Sequence, residues 1–316
     1  MLKRLLISLT IACVAPVAAA FPEKPVKLVV PYSPGGLTDQ LARKMANELS
    51  DVWGKPVIVE NRPGAGSSIG ASYVARSKPD GHTFLLGSVG MVTNPLMLPK
   101  MPYDPEALTP LALLATAPNV LYVHPSVPAE SVDELVSFAK ENPGVLTFAS
   151  SGVGSSPHLA AELFASKAEI DVIQVPYGGT GPAVADFLGG QVNAYFDTMQ
   201  SMTYAKDGLI RPLAVATRER LDDEPDLPTV EESESAKGVF TGSWFGIYVP
   251  ADTPADIQTT LEQAFQQVTS DEETQATVRE MGLIPQHRTQ EEFMQFVAEE
   301  TEKWGTIIRE QNISIQ

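Results

Sequence analysis

Three short stretches of this chain put glycine and hydroxyl side chains directly before a helical pattern. They are Tyr32-Ser33-Pro34-Gly35-Gly36-Leu37-Thr38-Asp39, Ser150-Ser151-Gly152-Val153-Gly154-Ser155-Ser156-Pro157-His158, and Tyr177-Gly178-Gly179-Thr180-Gly181-Pro182. A helix start carries unpaired N–H groups and about half a positive charge, so each stretch is suited to holding an anion. None of the three contains Arg or Lys. The chemistry they offer is therefore neutral donation, from backbone N–H groups, from the hydroxyls of Ser33, Thr38, Ser155 and Thr180, and from water. Asp39 has two roles open to it: capping its own helix, or accepting from a ligand amine. His158 and Glu162 lie four apart on one helical face. That spacing allows a metal pair, but no third ligand accompanies it, and a hydrogen bond within the loop or to a ligand is the simpler use of His158.

Other chemistries find less support. Gly66-Ser67-Ser68-Ile69-Gly70 fits the G-x-S-x-G pattern of hydrolase nucleophiles. Here, however, the loop of residues 61–66 separates strand from serine, whereas a nucleophile elbow needs a sharp turn. His82, His124, His158 and His287 offer no evident triad partner. An exported esterase using Ser68 or Ser155 remains the enzymatic alternative. No phosphate-cradling G-x-x-x-x-G-K-[ST] and no G-x-G-x-x-G occurs, so neither a nucleotide nor any other cofactor is expected. Cys13 is the only cysteine. A chain otherwise free of thiols has no disulfides and no cysteine-ligated metal.

The elements that must position these loops follow a βα rhythm. Lys27-Leu28-Val29-Val30 reads as a strand covered on both faces, and Leu37, Leu41, Met45 and Leu49 form one face of the helix after it. Strands at 57–59 and 83–86, with a helix from Ser67 or Ser68 to about Ala75 between them, imply a parallel sheet with right-handed crossovers. The apolar run 111–123, interrupted by Pro118, is extended. A second series follows: helix 131–140, strand 146–149, a helix from Pro157 with Ser156 as its cap, strand 172–175, a short helix from Pro182 closed by Gly189-Gly190, and strands at 193–196 and 213–216. Helices at 257–268 and 293–309 end the chain. Tyr122-Val123-His124-Pro125 is echoed by Tyr248-Val249-Pro250-Ala251, each before a helix. This suggests two equivalent connections, one leaving a first lobe and one returning to it. The expected division is residues 21–121 with 247–316 in domain 1, and 122–246 in domain 2, hinged near 120–123 and 245–249.

Composition bounds the rest. The chain has 316 residues, 43% of them hydrophobic and 19% charged, which is enough for two globular domains. A formal charge of −17 argues against nucleic acid as a partner. The acids are concentrated between Glu219 and Glu234, which reads as a solvated loop. Lys3 and Arg4, an apolar run, and Ala18-Ala19-Ala20 before Phe21 make residues 1–20 a secretory signal peptide, cleaved after Ala20, with a periplasmic destination. The apolar run is too short to span a bilayer. Cys13 could anchor a lipid, but Thr10 stands where such a signal prefers leucine.

Several segments together carry a resemblance: PYSPGGLTDQLAR, VIVENRPGAGSSIGASYVA, PDGHTFLLGS, FASSGVGSSPHLAAELF, VPYGGTGPAVADFLGGQVNAYFD, RPLAVAT, DLPTVEE and SWFGIYVPADTP. The chain resembles the substrate-binding proteins of tripartite tricarboxylate transporters, the Bug receptors, from about Pro25 to Trp304. The resemblance implies an α/β, two-lobed periplasmic binding protein of type II, a Venus flytrap with two hinge-crossing strands. It also implies a monomer that holds a small organic carboxylate and serves membrane transporter subunits, with no metal and no catalysis. A ligand sensor feeding a signalling system would share the fold. The family clamps one carboxylate between the first βα loop and the glycine-serine loop of the second lobe. Carried over, these are Tyr32, Ser33, Gly35, Gly36, Thr38 and Asp39 with Ser150, Ser151, Ser155, Ser156 and His158. Ser88, Tyr177, Thr180 and Asp197, in the other matched segments, complete the candidate ligand-binding set. This chain departs from the family at three places. Gly178 stands where a lysine is usual, Pro157 where a serine is usual, and Met91 and Val92 where many members are polar. All three changes make the expected pocket less cationic.

Overall fold

The computed structural model describes residues 21–311, 313 and 314. The expected signal peptide and Cys13 lie outside the described residues. Two sheets organise the chain, and the order in which strands join them sets the site.

The first sheet has six strands in the order β11-β4-β10-β3-β1-β2. β1 (Val26–Val30), β2 (Val57–Asn61) and β3 (Thr83–Gly87) run parallel. They are joined by α1 (Leu37–Trp53) and α2 (Ser68–Ala75). β1 is almost wholly buried, as its unbroken apolar run requires. α1 sets Leu41, Ala42, Met45, Ala46 and Leu49 into the core and stops at Gly54 in the left-handed conformation. β4 (Leu108–Pro118) and β10 (Gly242–Pro250) pair antiparallel in the same sheet. The helix α3 (Gly90–Met97) was not expected, because Gly90 and Pro95 are poor helix residues. α9 (Glu272–Glu280) and β11 (Ile284–Arg288) were not expected either.

The second sheet has five strands in the order β7-β6-β8-β5-β9. These are β5 (Val120–Val123), β6 (Thr147–Ser150), β7 (Ile173–Pro176), β8 (Ala194–Asp197) and β9 (Arg211–Val215). Their helices are α4 (Val132–Glu141), α5 (Ser156–Ala168), α6 (Thr180–Leu188) and the short α7 (Met202–Lys206). Phe148, Phe164 and Phe196 meet edge-on and stacked inside this half.

The apolar run 111–123 is two strands in two sheets, broken at Asn119 rather than at Pro118. The chain passes to the second sheet at Asn119 and returns to the first at Thr241, upstream of the expected hinge positions. The two crossings lie side by side. Asn119 N–H donates to the Thr241 carbonyl (3.1 Å), Ala216 N–H to the Asn119 carbonyl (2.8 Å), and Thr241 N–H to the Ala216 carbonyl (3.0 Å). The Asn119 side chain, 1% exposed, donates to the hydroxyls of Ser156 (3.0 Å) and Thr241 (3.2 Å). The echoed Tyr122 and Tyr248 segments are therefore not the crossings. Each is the end of a strand that precedes a helix, one in each sheet.

α8 (Ala255–Ser270) and α10 (Gln290–Glu310) pack back on the first sheet, as expected, and α10 also reaches α3 and α5. Its place on β10 is set by a buried carboxylate. Glu300 accepts from the indoles of Trp304 (2.9 Å) and Trp244 (3.3 Å) and from Lys303.

Candidate functional site

Every turn that follows the C-terminal end of β1, β3, β6, β7 or β8 contributes to one cleft of about 740 Å³. From the first sheet come Tyr32, Ser33, Pro34, Gly36, Leu37 and Thr38, then Ser88, Val89, Gly90, Thr93, Asn94 and Met97. From the second come residues 151–157, then Gly178, Gly179 and Thr180, then Asp197 and Thr198. Asn119, Ser243 and Phe245 close it at the crossings. An open α/β sheet binds ligands at this end of its strands, where helices begin.

Four helices start here. α1 is capped by Gly36, α5 by Ser155 and α6 by Gly179, and none of these caps makes a side-chain hydrogen bond to its helix's N–H groups. Their first N–H groups, including those of Leu37, Thr38, Ser156 and Thr180, have no intrahelical partner, and these four residues line the cleft. Pro157 and Pro182 supply no N–H. α3 starts at Gly90, where a Cβ would come within 2.7 Å of Ser67 Oγ and 3.0 Å of the Gly66 carbonyl. Only glycine allows so close an approach of α3 to the 64–67 loop.

Asp197 is the only charged residue among the described residues that line the cleft, and no Lys, Arg or His lines it. Burial pushes the Asp197 carboxyl above its ordinary range, while the Ser201 hydroxyl (2.6 Å) and the Thr198 N–H (2.9 Å) hold it down in part. Distant cations do not fold into the cleft. Arg62 lies 3.6 Å over the Tyr73 ring and pairs with Glu60. Lys206 lines a separate groove with residues 219–224 and the turn before β11.

The sequence candidates separate into two groups. Tyr32, Ser33, Gly36, Thr38, Ser88, Ser151, Ser155, Ser156, Thr180 and Asp197 line the cleft together. Gly35, Asp39, Ser150, His158 and Tyr177 do not, and four of these five hold the loops in place instead. Asp39 is 3% exposed and accepts from Gly35 N–H (2.9 Å), Arg43 (2.9 and 3.0 Å) and Asn61 (2.9 Å). Burial works against its carboxylate, but these bonds outweigh that and hold its pKa below the ordinary value. Asp39 takes the local role. His158 Nδ1 accepts from Gly154 N–H (3.2 Å), so the ring is a neutral acceptor, as burial also favours. Its Nε2 lies 3.8 Å from Glu162 Oε1, and no cluster of three metal-ligating side chains occurs among the described residues. The Tyr177 hydroxyl donates to Asp186 (2.9 Å). Ser150 is fully buried at the end of β6. Ser155 caps α5, one residue before the expected cap Ser156, and its hydroxyl donates to the Gly152 carbonyl (2.6 Å). That bond leaves its oxygen as an acceptor, and the Ser155 N–H is also taken by the Gly152 carbonyl (3.1 Å). Gly152, at φ +130°, takes a conformation that side chains resist.

Sequence reasoning missed Thr93, Asn94, Asn119, Thr198, Ser243 and Phe245. Asn94 donates to the Gly66 carbonyl (2.5 Å) and to Ser68 Oγ (3.2 Å), and Tyr32 shares its hydroxyl with Ser67 and Ser88. Met91 and Val92, expected to shape the pocket, fall on the other side of α3, where Met91 meets the Tyr103 hydroxyl. Residues 90, 93, 94 and 97 share the helical face toward the cleft, a pattern that becomes visible only once α3 is known to be a helix. Of the two esterase candidates, Ser68 is fully buried beside Asn94, while Ser155 lines the cleft.

Comparison with known proteins places this geometry. Protein BugT of Bordetella pertussis is 33% identical over 306 residues, covering 95% of this chain and 94% of that protein. The solved structure of R. palustris Rpa4515 with adipate is 35% identical, with a TM-score of 0.83 over 93% of this chain and 99% of that one. MatC from Rhodopseudomonas palustris with bound malate is 30% identical, with a TM-score of 0.78 over 91% of this chain and 100% of that one. Solved relatives include the periplasmic binding protein BugD, so the two sheets are the two lobes of a type II periplasmic binding protein fold. Residues 41–313 match the tripartite tricarboxylate transporter family receptor, and the chain belongs to that family of solute-binding proteins.

Proposed function

We propose that this protein is an exported receptor that closes its lobes on a small organic carboxylate and delivers it to a tripartite tricarboxylate-type membrane transporter. The observation that carries the reading is the cleft itself: helix starts from both sheets converge on one space with no cation. Such a site can hold a carboxylate through N–H groups and hydroxyls. Residues 21–118 with 242–316 would form one lobe and 120–240 the other, turning about Asn119 and Thr241. Those two crossings are short, joined by one backbone hydrogen bond and each bonded to Ala216, a compact hinge of the kind that domain closure uses. The relatives holding adipate and malate support a carboxylate as ligand. Lys3, Arg4 and the apolar run before Ala18-Ala19-Ala20 support export.

Purified mature protein should be stabilised by small carboxylates and should not turn over model esters. Ligand at about 100 times its dissociation constant raises stability by roughly 2.7 kcal/mol. X-ray scattering should give a smaller radius of gyration with ligand. Ester hydrolysis that disappears in Ser68→Ala or Ser155→Ala would replace the receptor reading with an enzymatic one.

A further inference from the structure

The cleft has an uneven charge pattern. Its helix starts and hydroxyls favour an anionic group, but no cationic side chain lines it. The one charge on its wall is negative. Asp197 ends β8, is 7% exposed, and keeps a free lone pair on each oxygen after accepting from Thr198 and Ser201. The other polar residues of the lining, among them Asn119, Thr198 and Ser243, are neutral. The lining also includes the apolar Val89, Met97, Val153 and Phe245.

From this arrangement, and resting on the carboxylate reading above, we infer that Asp197 determines specificity. The ligand it selects carries one carboxylate and, at its far end, a hydrogen-bond donor such as a hydroxyl or an ammonium group. A carboxylate buried in a cleft accepts hydrogen bonds and attracts a cation. A second ligand carboxylate would meet a like charge there with no cation to offset it. The donor end, by contrast, completes the acceptor capacity that Ser201 and Thr198 leave open. The apolar wall between accommodates a short aliphatic or aromatic spacer.

Calorimetry at pH 7.5 on the ligand-free mature protein tests this with matched sets of equal length. The sets are 4-hydroxybutanoate, 4-aminobutanoate and succinate; 6-hydroxyhexanoate, 6-aminohexanoate and adipate; and 4-(hydroxymethyl)benzoate, 4-(aminomethyl)benzoate and terephthalate. In whichever set binds, the hydroxy or amino acid should bind at least tenfold more tightly than the dicarboxylate. Asp197→Asn should narrow that ratio at least tenfold, chiefly by weakening the amino acid and strengthening the dicarboxylate. A dicarboxylate that binds as tightly as its hydroxy and amino counterparts overturns the inference and leaves the receptor reading intact. So does a ratio that Asp197→Asn leaves unchanged. If Asp197→Asn fails to fold, the ratios in the natural protein alone decide. If no compound of any set binds, the inference falls together with the carboxylate reading on which it rests.

Discussion

Replacing Gly36 by valine tests whether backbone donors alone neutralise the ligand. Gly36 caps α1 with φ −77° and ψ 172°, a conformation any residue adopts. A Cβ there would meet nothing nearer than the Ser33 carbonyl at 3.9 Å. The fold should therefore accept valine sterically, with a loss of about 1 kcal/mol because valine is a poorer N-cap than glycine. The added isopropyl group, however, enters the open space over the helix start, where a carboxylate oxygen would meet the N–H groups of Leu37 and Thr38. Hydrogen bonds to a charged group contribute roughly 1.5–3 kcal/mol each. Losing one bond and part of the dipole attraction costs about 2–4 kcal/mol, or roughly 30- to 800-fold in affinity. Calorimetric titration gives the affinity, and urea unfolding without ligand gives the stability. Arg62→Ala and Lys206→Ala serve as controls and should bind within about twofold of the natural protein, since neither side chain lines the cleft. Gly36→Val that binds within threefold of the natural protein, while Arg62→Ala abolishes binding, would refute neutral-donor recognition.

Three further outcomes follow from the site. Asp39→Ala should lower stability by about 2–3 kcal/mol, with the bond to half-exposed Arg43 discounted, and should weaken binding by loosening the first loop; unchanged urea midpoint and affinity would show the tether to be idle. Asn119→Ala should cost roughly 1–3 kcal/mol, because it leaves the hydroxyls of Ser156 and Thr241 without their buried donor; scattering should also reveal a less complete closure, and an unaltered ligand-induced change in radius would argue against a hinge role. His158 is held below its ordinary pKa of 6.5 by burial, so the folded state takes up fewer protons than the unfolded one as pH falls below that value. Its stabilisation is present above pH 6.5 and is lost on acidification. Glu162, raised by burial, acts in the opposite direction. His158→Asn, which keeps an acceptor for Gly154 N–H, should therefore lose less stability between pH 7.5 and 5 than the natural protein, and equal losses in urea titrations would exclude this origin.

Much of the site was legible in the chain because helix starts are local events. Gly35-Gly36 before Leu37, Ser155 before Pro157, and Gly179 before Thr180 each declare a turn into a helix within a few residues. The strand-end position of those turns follows from the βα rhythm, and the missing cations follow from the residues themselves. What neighbours do to one another was not legible. Asp39 and His158 each had a local use and a ligand use open to them, and Arg43 with Asn61, and Gly154, occupy them. Deciding between the two uses requires knowing which groups come within 3 Å, and that depends on packing. α3 escaped notice because Gly90 and Pro95 disfavour a helix; the close fit against Ser67 and Gly66 and the cover of α10 override that propensity. The crossing at Asn119 escaped for a related reason. Residues 111–123 read in sequence as one extended run interrupted at Pro118, and only the pairing of β4 with β10 and of β5 with β8 assigns its halves to different lobes. Local propensity sets where the chain turns and caps, whereas strand pairing between residues distant in sequence decides which turns share a cleft and which charge lines it.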